Sequence, residues 1–136
     1  MSNDSLNGTV GQAARFASDY LFRNSALPSN TTIYSLEYTI NNTLGKLMLV
    51  GTIDKNLSMA AGNTLTVALQ YKDGTTWKTE STLLSASGAT TFPAGQIFAI
   101  IPLPSETKRV FRLAATSNFN ASDVKLTAAV EIMPSI

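Results

Sequence analysis

The stretch DVKLTAAVEIM, residues 123–133, alternates more strictly than any other part of the chain. Val124, Leu126, Ala128, Val130 and Ile132 share one parity, while Lys125, Thr127, Ala129 and Glu131 share the other. Successive side chains of an extended chain point to opposite faces, so this spacing predicts a strand with one face buried and one wet. A helix would scatter the same apolar residues around its circumference and leave no face to bury.

Similar segments precede it. In TTIYSLEYTI, Tyr34, Leu36, Tyr38 and Ile40 occupy alternate positions and are expected to point inward from a half-buried strand. KLMLVGTI is apolar on both faces near Leu47 to Val50, and TLTVALQY puts Leu65, Val67, Leu69 and Tyr71 in phase. A Lys72-Asp73-Gly74 turn leads from there into TWKTESTLL, which predicts a hairpin. QIFAIIPLP contains Pro102, which has no N–H to give a ladder and so predicts an edge position or a bulge. KRVFRLAAT reads as a further strand. About seven short strands with polar turns and no convincing internal helix give an all-β fold, an antiparallel β-sandwich or closed barrel.

Residues 1–30 read differently. Ala13, Phe16, Ala17, Tyr20 and Leu21 fall at helical spacings, but Gly11 opens the segment and Pro28 closes the region soon after. A short amphipathic helix and an extended arm that borrows structure from a neighbour both fit. The chain therefore divides into an N-terminal arm or short helix over 1–30 and a β-sandwich domain over 31–136.

A length of 136 residues suits one domain with a core of its own. The chain has no cysteine and no histidine, which removes disulfides, thiolate nucleophiles, imidazole bases and nearly every zinc, copper or iron site. Ten basic residues stand against nine acidic ones, a net charge of +1, far from the basic excess that drives phosphate binding. No apolar run reaches signal-peptide or membrane-spanning length, which predicts a soluble intracellular product with no membrane partner. Only 14% of the residues are charged, against about 25% in an ordinary globular chain, so the weakly hydrated surface suits burial against other subunits.

Few side chains remain for chemistry. The nine carboxylates (Asp4, Asp19, Glu37, Asp54, Asp73, Glu80, Glu106, Asp123 and Glu131) form no recognisable catalytic pair and no calcium-binding array. They read as solvated turn and strand residues, and the chain reads as no enzyme and as needing no cofactor. Trp77, just after the Asp-Gly turn, fits either a packing or subunit-contact role or a sugar-stacking platform. The segment KRVFRL, residues 108–113, packs three cations into five positions. On a strand, however, Arg109, Phe111 and Leu113 share one side while Lys108, Val110 and Arg112 share the other. No continuous basic groove forms, and nucleic acid is not an expected partner.

The C-terminal half, by contrast, has a familiar order. An "AG…F…LP…T.R..RL" segment is carried by Ala94, Gly95, Phe98, Leu103, Pro104, Thr107, Arg109, Arg112 and Leu113, and a final "V.A.L"-type strand follows with Val124, Leu126 and Ala128. Over roughly residues 62–133 this resembles the minor capsid proteins of tailed bacteriophages, the cement or decoration proteins. The resemblance implies a jelly-roll-like β-sandwich that assembles as a homodimer or homotrimer on the capsid exterior of the virion and clamps neighbouring subunits of the major capsid protein. It also implies synthesis in the bacterial host cytoplasm.

Arg15, Phe16, Tyr20, Leu21 and Phe22 are the expected docking residues of the N-terminal segment, because aromatics with an arginine carry most of the binding energy of interfaces. Phe16, Tyr20 and Leu21 fit equally a role in capping the sandwich of their own chain. Trp77, Arg109 and Arg112 complete the set of expected partner-binding residues. The alternative function is a carbohydrate-binding or lectin-like module of a phage or bacterial surface protein, resting on Trp77, Tyr34, Tyr38 and Tyr71.

Overall fold

The computed structural model describes residues 20–40, 47–103 and 110–132. Its strands, in chain order, are β1 (Tyr20–Ala26), β2 (Thr32–Tyr34), β3 (Tyr38–Thr39), β4 (Leu47–Ile53), β5 (Leu57–Met59), β6 (Thr64–Asp73), β7 (Thr76–Ser87), β8 (Thr90–Phe92), β9 (Ile97–Pro102), β10 (Val110–Ser117) and β11 (Lys125–Ile132). A four-stranded sheet runs β1-β11-β4-β9, and a five-stranded sheet runs β2-β10-β6-β7 with β3 also paired to β10. All pairings are antiparallel.

The pairing is nested. β1 lies beside β11 and β2 beside β10, while β4 lies beside β9 and β6 beside β7. A chain folded double in this way and wrapped so that neighbouring strands fall in opposite sheets is a jelly roll. The short β5–β8 pair is an addition to that plan. Among the described residues no helix is long and apolar enough to cross a membrane.

Between the two sheets lies one apolar core. Leu49, Ile53, Leu126 and Val130 come from the four-stranded sheet, and Leu65, Val67, Leu69, Phe111 and Leu113 from the five-stranded one. Each side chain of this size contributes about 1.5–3 kcal/mol on full burial, so these residues carry most of the driving force for the sandwich. The alternation of the last strand holds: Val124, Leu126, Ala128 and Val130 are buried, whereas Lys125, Thr127, Ala129 and Glu131 are half-buried on the outer face. Pro102 sits on β9, an edge strand, as its missing N–H requires. The β6–β7 hairpin also forms as the sequence predicts, with Gly74 at φ 65° in its turn.

Two segments differ from expectation. Tyr20–Ala26, expected in an arm or helix, is an edge strand whose register shifts twice, between Tyr20 and Phe22 and between Phe22 and Ser25. These irregularities turn the consecutive Leu21 and Phe22 both inward, and Asn24 takes a φ of 52°. A strand with two such shifts has no period-2 signal. The rest of the 1–30 segment, up to residue 19, lies outside the described residues.

In the second segment, Tyr34 and Leu36 are 53% and 71% exposed rather than inward, and Ile33 packs against the core instead. Ser35 explains the change. Its hydroxyl oxygen accepts the Leu113 N–H at 2.7 Å, a place in the ladder that a backbone carbonyl normally fills, and its O–H donates to the Leu36 carbonyl at 2.8 Å. The strand is broken there into β2 and β3, and the phase is reset so that Ile40 returns to full burial.

Candidate docking surface

The outer face of the five-stranded sheet positions a cluster of interface-type side chains. Cross-strand register places Tyr34 opposite Ala114, Ala114 opposite Ala68, and Arg112 opposite Gln70. On the next strand Lys72 stands opposite Trp77. Phe111, Leu113 and Ala115 point inward and are fully buried, so Arg112 must project outward between them. The small side chains of Ala114 and Ala68 leave the long ones of Tyr34, Arg112 and Trp77 room to lie across the sheet.

The Arg112 guanidinium carbon stands 3.9 Å from the centre of the Tyr34 ring and 4.2 Å from that of Trp77. Its Nε donates to Gln70 Oε1 at 2.8 Å. Lys72 adds a second cation 5.9 Å from the Trp77 ring centre. Two rings this close to one planar cation leave room for little else against its faces, and each contact of this kind contributes about 0.5–1 kcal/mol at an exposed site. Leu36, among the most exposed large apolar residues described, lies two residues beyond Tyr34 on the same chain segment.

At the β6–β7 turn, Lys78 Nζ pairs with Asp73 Oδ2 at 2.8 Å. The hydrogen bond from Lys78, aided by its charge, holds the Asp73 carboxyl below the usual carboxylate range, and the same contact holds the Lys78 ammonium above its own. Both groups are open to water.

Among the described residues, the expected partner-binding side chains lie on both sheets. Trp77 and Arg112 meet, as described. Tyr20, Leu21 and Phe22 lie on β1 in the other sheet, with Leu21 and Phe22 buried in the core of their own chain. Tyr20 is half-buried, with the Arg23 guanidinium 5.2 Å from its ring centre. Arg15, Phe16 and Arg109 fall outside the described residues.

Tyr34 and Gln70, which complete the setting of Arg112, belong to no sequence motif. The shared parity of Gln70, Lys72 and Arg112 was available from sequence, but the pairing of β2 with β10 was not. Tyr38 and Tyr71, grouped with Trp77 in the carbohydrate reading, are half-buried and pack against the core.

A concavity of about 370 Å³ opens between β7 and β9 and is lined by Leu69, Glu80, Ser81, Ile101, Pro102 and Leu103. Glu80 is its one titratable lining residue. Among the described residues no three acidic, histidine or cysteine side chains gather in a way that could hold a metal ion.

No protein-family model matches the chain, and no curated protein matches it. Among solved structures, it is similar to the crystal structure of a pentameric capsid protein isolated from metagenomic phage sequences, at 16% identity over 99% of this chain and 86% of that one, with a TM-score of 0.32. A likeness that slight leaves the function to be argued from this chain's own residues.

Proposed function

We propose that the protein is a structural component of a bacteriophage head, bound to the outside of the shell, where it bridges subunits of the major capsid protein and stabilises them. The observation that carries this reading is the Tyr34–Arg112–Trp77 cluster on the open face of the five-stranded sheet. Tyrosine, tryptophan and arginine are the residue types that dominate binding energy at protein interfaces, and here they are held rigidly by strands rather than by a loop. The jelly-roll plan supports the reading, since viral capsid domains use it, and so do the low charge content and the resemblance over residues 62–133.

The mechanism is mechanical. Packaged DNA loads a shell from within, and a protein attached to several subunits raises the cost of separating them because the bridged contacts must break together. Attachment as a homodimer or homotrimer makes modest single contacts collectively strong. The activity is non-enzymatic and requires no cofactor.

The test is co-sedimentation of the purified protein with empty, expanded heads of its phage, followed by thermal disruption of those heads. Binding with a raised disruption temperature is expected. Failure to bind heads, or absence of the protein from mature virions, would overturn the reading.

Jelly rolls also serve as lectins, and the exposed Tyr34 ring together with Trp77 favours a carbohydrate-binding module as the second reading. Sugars stack on bare ring faces, however, and Arg112 already lies against both rings. Binding on a glycan array, with quenching of Trp77 by the sugars retained there, would favour this reading over the first.

A further inference from the structure

Arginines on exposed sheets are usually mobile, and their five N–H donors are satisfied by water. Arg112 is held in a different way. Both ring contacts restrict where the guanidinium plane can lie, and the bond from Nε to Gln70 Oε1 fixes its rotation within that plane. Its Nε edge is thereby used. The opposite end of the fork, the two Nη groups, takes part in no ion pair with a carboxylate among the described residues. The Asp73 carboxylate of the β6–β7 turn is engaged by Lys78.

A preset fork with two parallel donors matches the two oxygens of a carboxylate, which is the geometry in which arginine binds acids most strongly. The aromatic walls also exclude water from its flanks, which strengthens such a pair relative to an ordinary surface ion pair. We infer that Arg112 is a carboxylate-receiving site: an aspartate or glutamate side chain of a protein partner docks end-on against its Nη groups between Tyr34 and Trp77. The inference rests on the reading that this face binds another protein, and it adds the chemistry of the partner's contact residue.

Phosphate is the competing anion, and nucleic acid its macromolecular source. Single-strand readers stack bases on free aromatic faces along a basic groove. Here the ring faces meet Arg112, the cations recorded against the rings among the described residues are Arg112 and Lys72, and the net charge is +1. The observations therefore favour an acidic protein segment.

Trp77 is the chain's single tryptophan, so its emission reports events at this site without a label. The experiment titrates the full chain with a blocked tetra-aspartate peptide at low salt, and in parallel with a blocked tetra-asparagine peptide and an oligothymidylate. A saturable change in Trp77 emission is expected with tetra-aspartate and none with tetra-asparagine. Arg112→Lys, which keeps the charge and loses the fork, weakens the response about tenfold. Arg112→Gln abolishes it, with near-ultraviolet circular dichroism checking that the fold is intact. Should Arg112→Gln fail to fold, Tyr34→Ala, which removes one flanking ring, is expected to weaken the response about fivefold.

An equal response from Arg112→Gln, no response from the wild-type chain, or tighter binding of the oligothymidylate overturns the inference. The two proposals fail separately. Wild-type protein that takes the peptide but does not sediment with heads overturns only the capsid reading. Sedimentation unaffected by Arg112→Gln overturns only the carboxylate site.

Discussion

The ring of Phe98 occupies the space that a side chain at Gly51 would need. A methyl group built on Gly51 falls 2.8 Å from Cε2 and 2.9 Å from Cε1 of Phe98, and closer still to Cζ. The two residues lie on neighbouring strands, β4 and β9, next to the point where their register shifts between Gly51 and Thr52. The irregular register turns Phe98 toward the core, and the missing Cβ makes the space.

Gly51→Ala is therefore expected to destabilise the protein by about 1–3 kcal/mol through overpacking. Urea unfolding measures it. Phe98→Leu in the same chain should recover part of the loss, giving a coupling energy in a double-mutant cycle that independent sites would not show.

Ser117 is the buried polar residue of the core among the described residues, and its hydroxyl donates to the Pro28 carbonyl at 2.5 Å, with the Phe119 carbonyl 3.0 Å away. The contact ties the segment after β1 to the end of β10. Ser117→Ala leaves those carbonyls without this donor and is expected to cost about 1–3 kcal/mol in chemical denaturation. The denaturant slope should be unchanged, because the native fold remains.

Binding and stability should separate at the Tyr34–Arg112–Trp77 cluster. Trp77→Ala or Tyr34→Ala removes a ring from an outer face, so each should lower stability by no more than about 1 kcal/mol. The same substitutions should weaken head binding about tenfold or more if the cluster is an interface hot spot. Thermal melts and sedimentation with heads, run on the same samples, compare the two effects.

The Asp73–Lys78 pair gives a local pH signature. Asp73 titrates below its ordinary range in the folded chain, so its contribution to stability is present above the unfolded carboxylate pKa and is lost as pH falls through the folded value. Both groups are exposed, so salt should screen the effect. Carboxyl-carbon NMR should find the Asp73 midpoint depressed, and Lys78→Gln should return it to the ordinary range.

Period-2 patterning made β6, β10 and β11 legible, because each buries one parity of apolar residues, whereas β4 was legible as a short run apolar on both faces. It failed where a backbone irregularity altered the phase. The register shifts of β1 concealed a strand, and the hydroxyl of Ser35 reset the face of the following residues. Arg112 could be assigned to an outer face from Phe111 and Leu113 alone. Its neighbours Tyr34 and Trp77 arrive from β2 and β7, on opposite sides of β10 in the sheet, and that order is set by tertiary pairing which no local pattern encodes. The short β5 and β8 left no usable signal at all, being three residues each.

The nested pairing also governs when the molecule can form during its synthesis. β11 stands between β1 and β4, and Tyr20 pairs with Ala129 across that junction. While the ribosome is still making the segment before β11, β1 lacks the strand it pairs with and the four-stranded sheet lacks an inner strand. The β6–β7 hairpin can form early from local contacts, but the sheet opposite must await translation through residue 132. The four-stranded sheet is therefore closed only after synthesis of β11, and the Tyr34–Arg112–Trp77 surface, built from β2, β10 and β7, reaches a partner only once β10 has emerged.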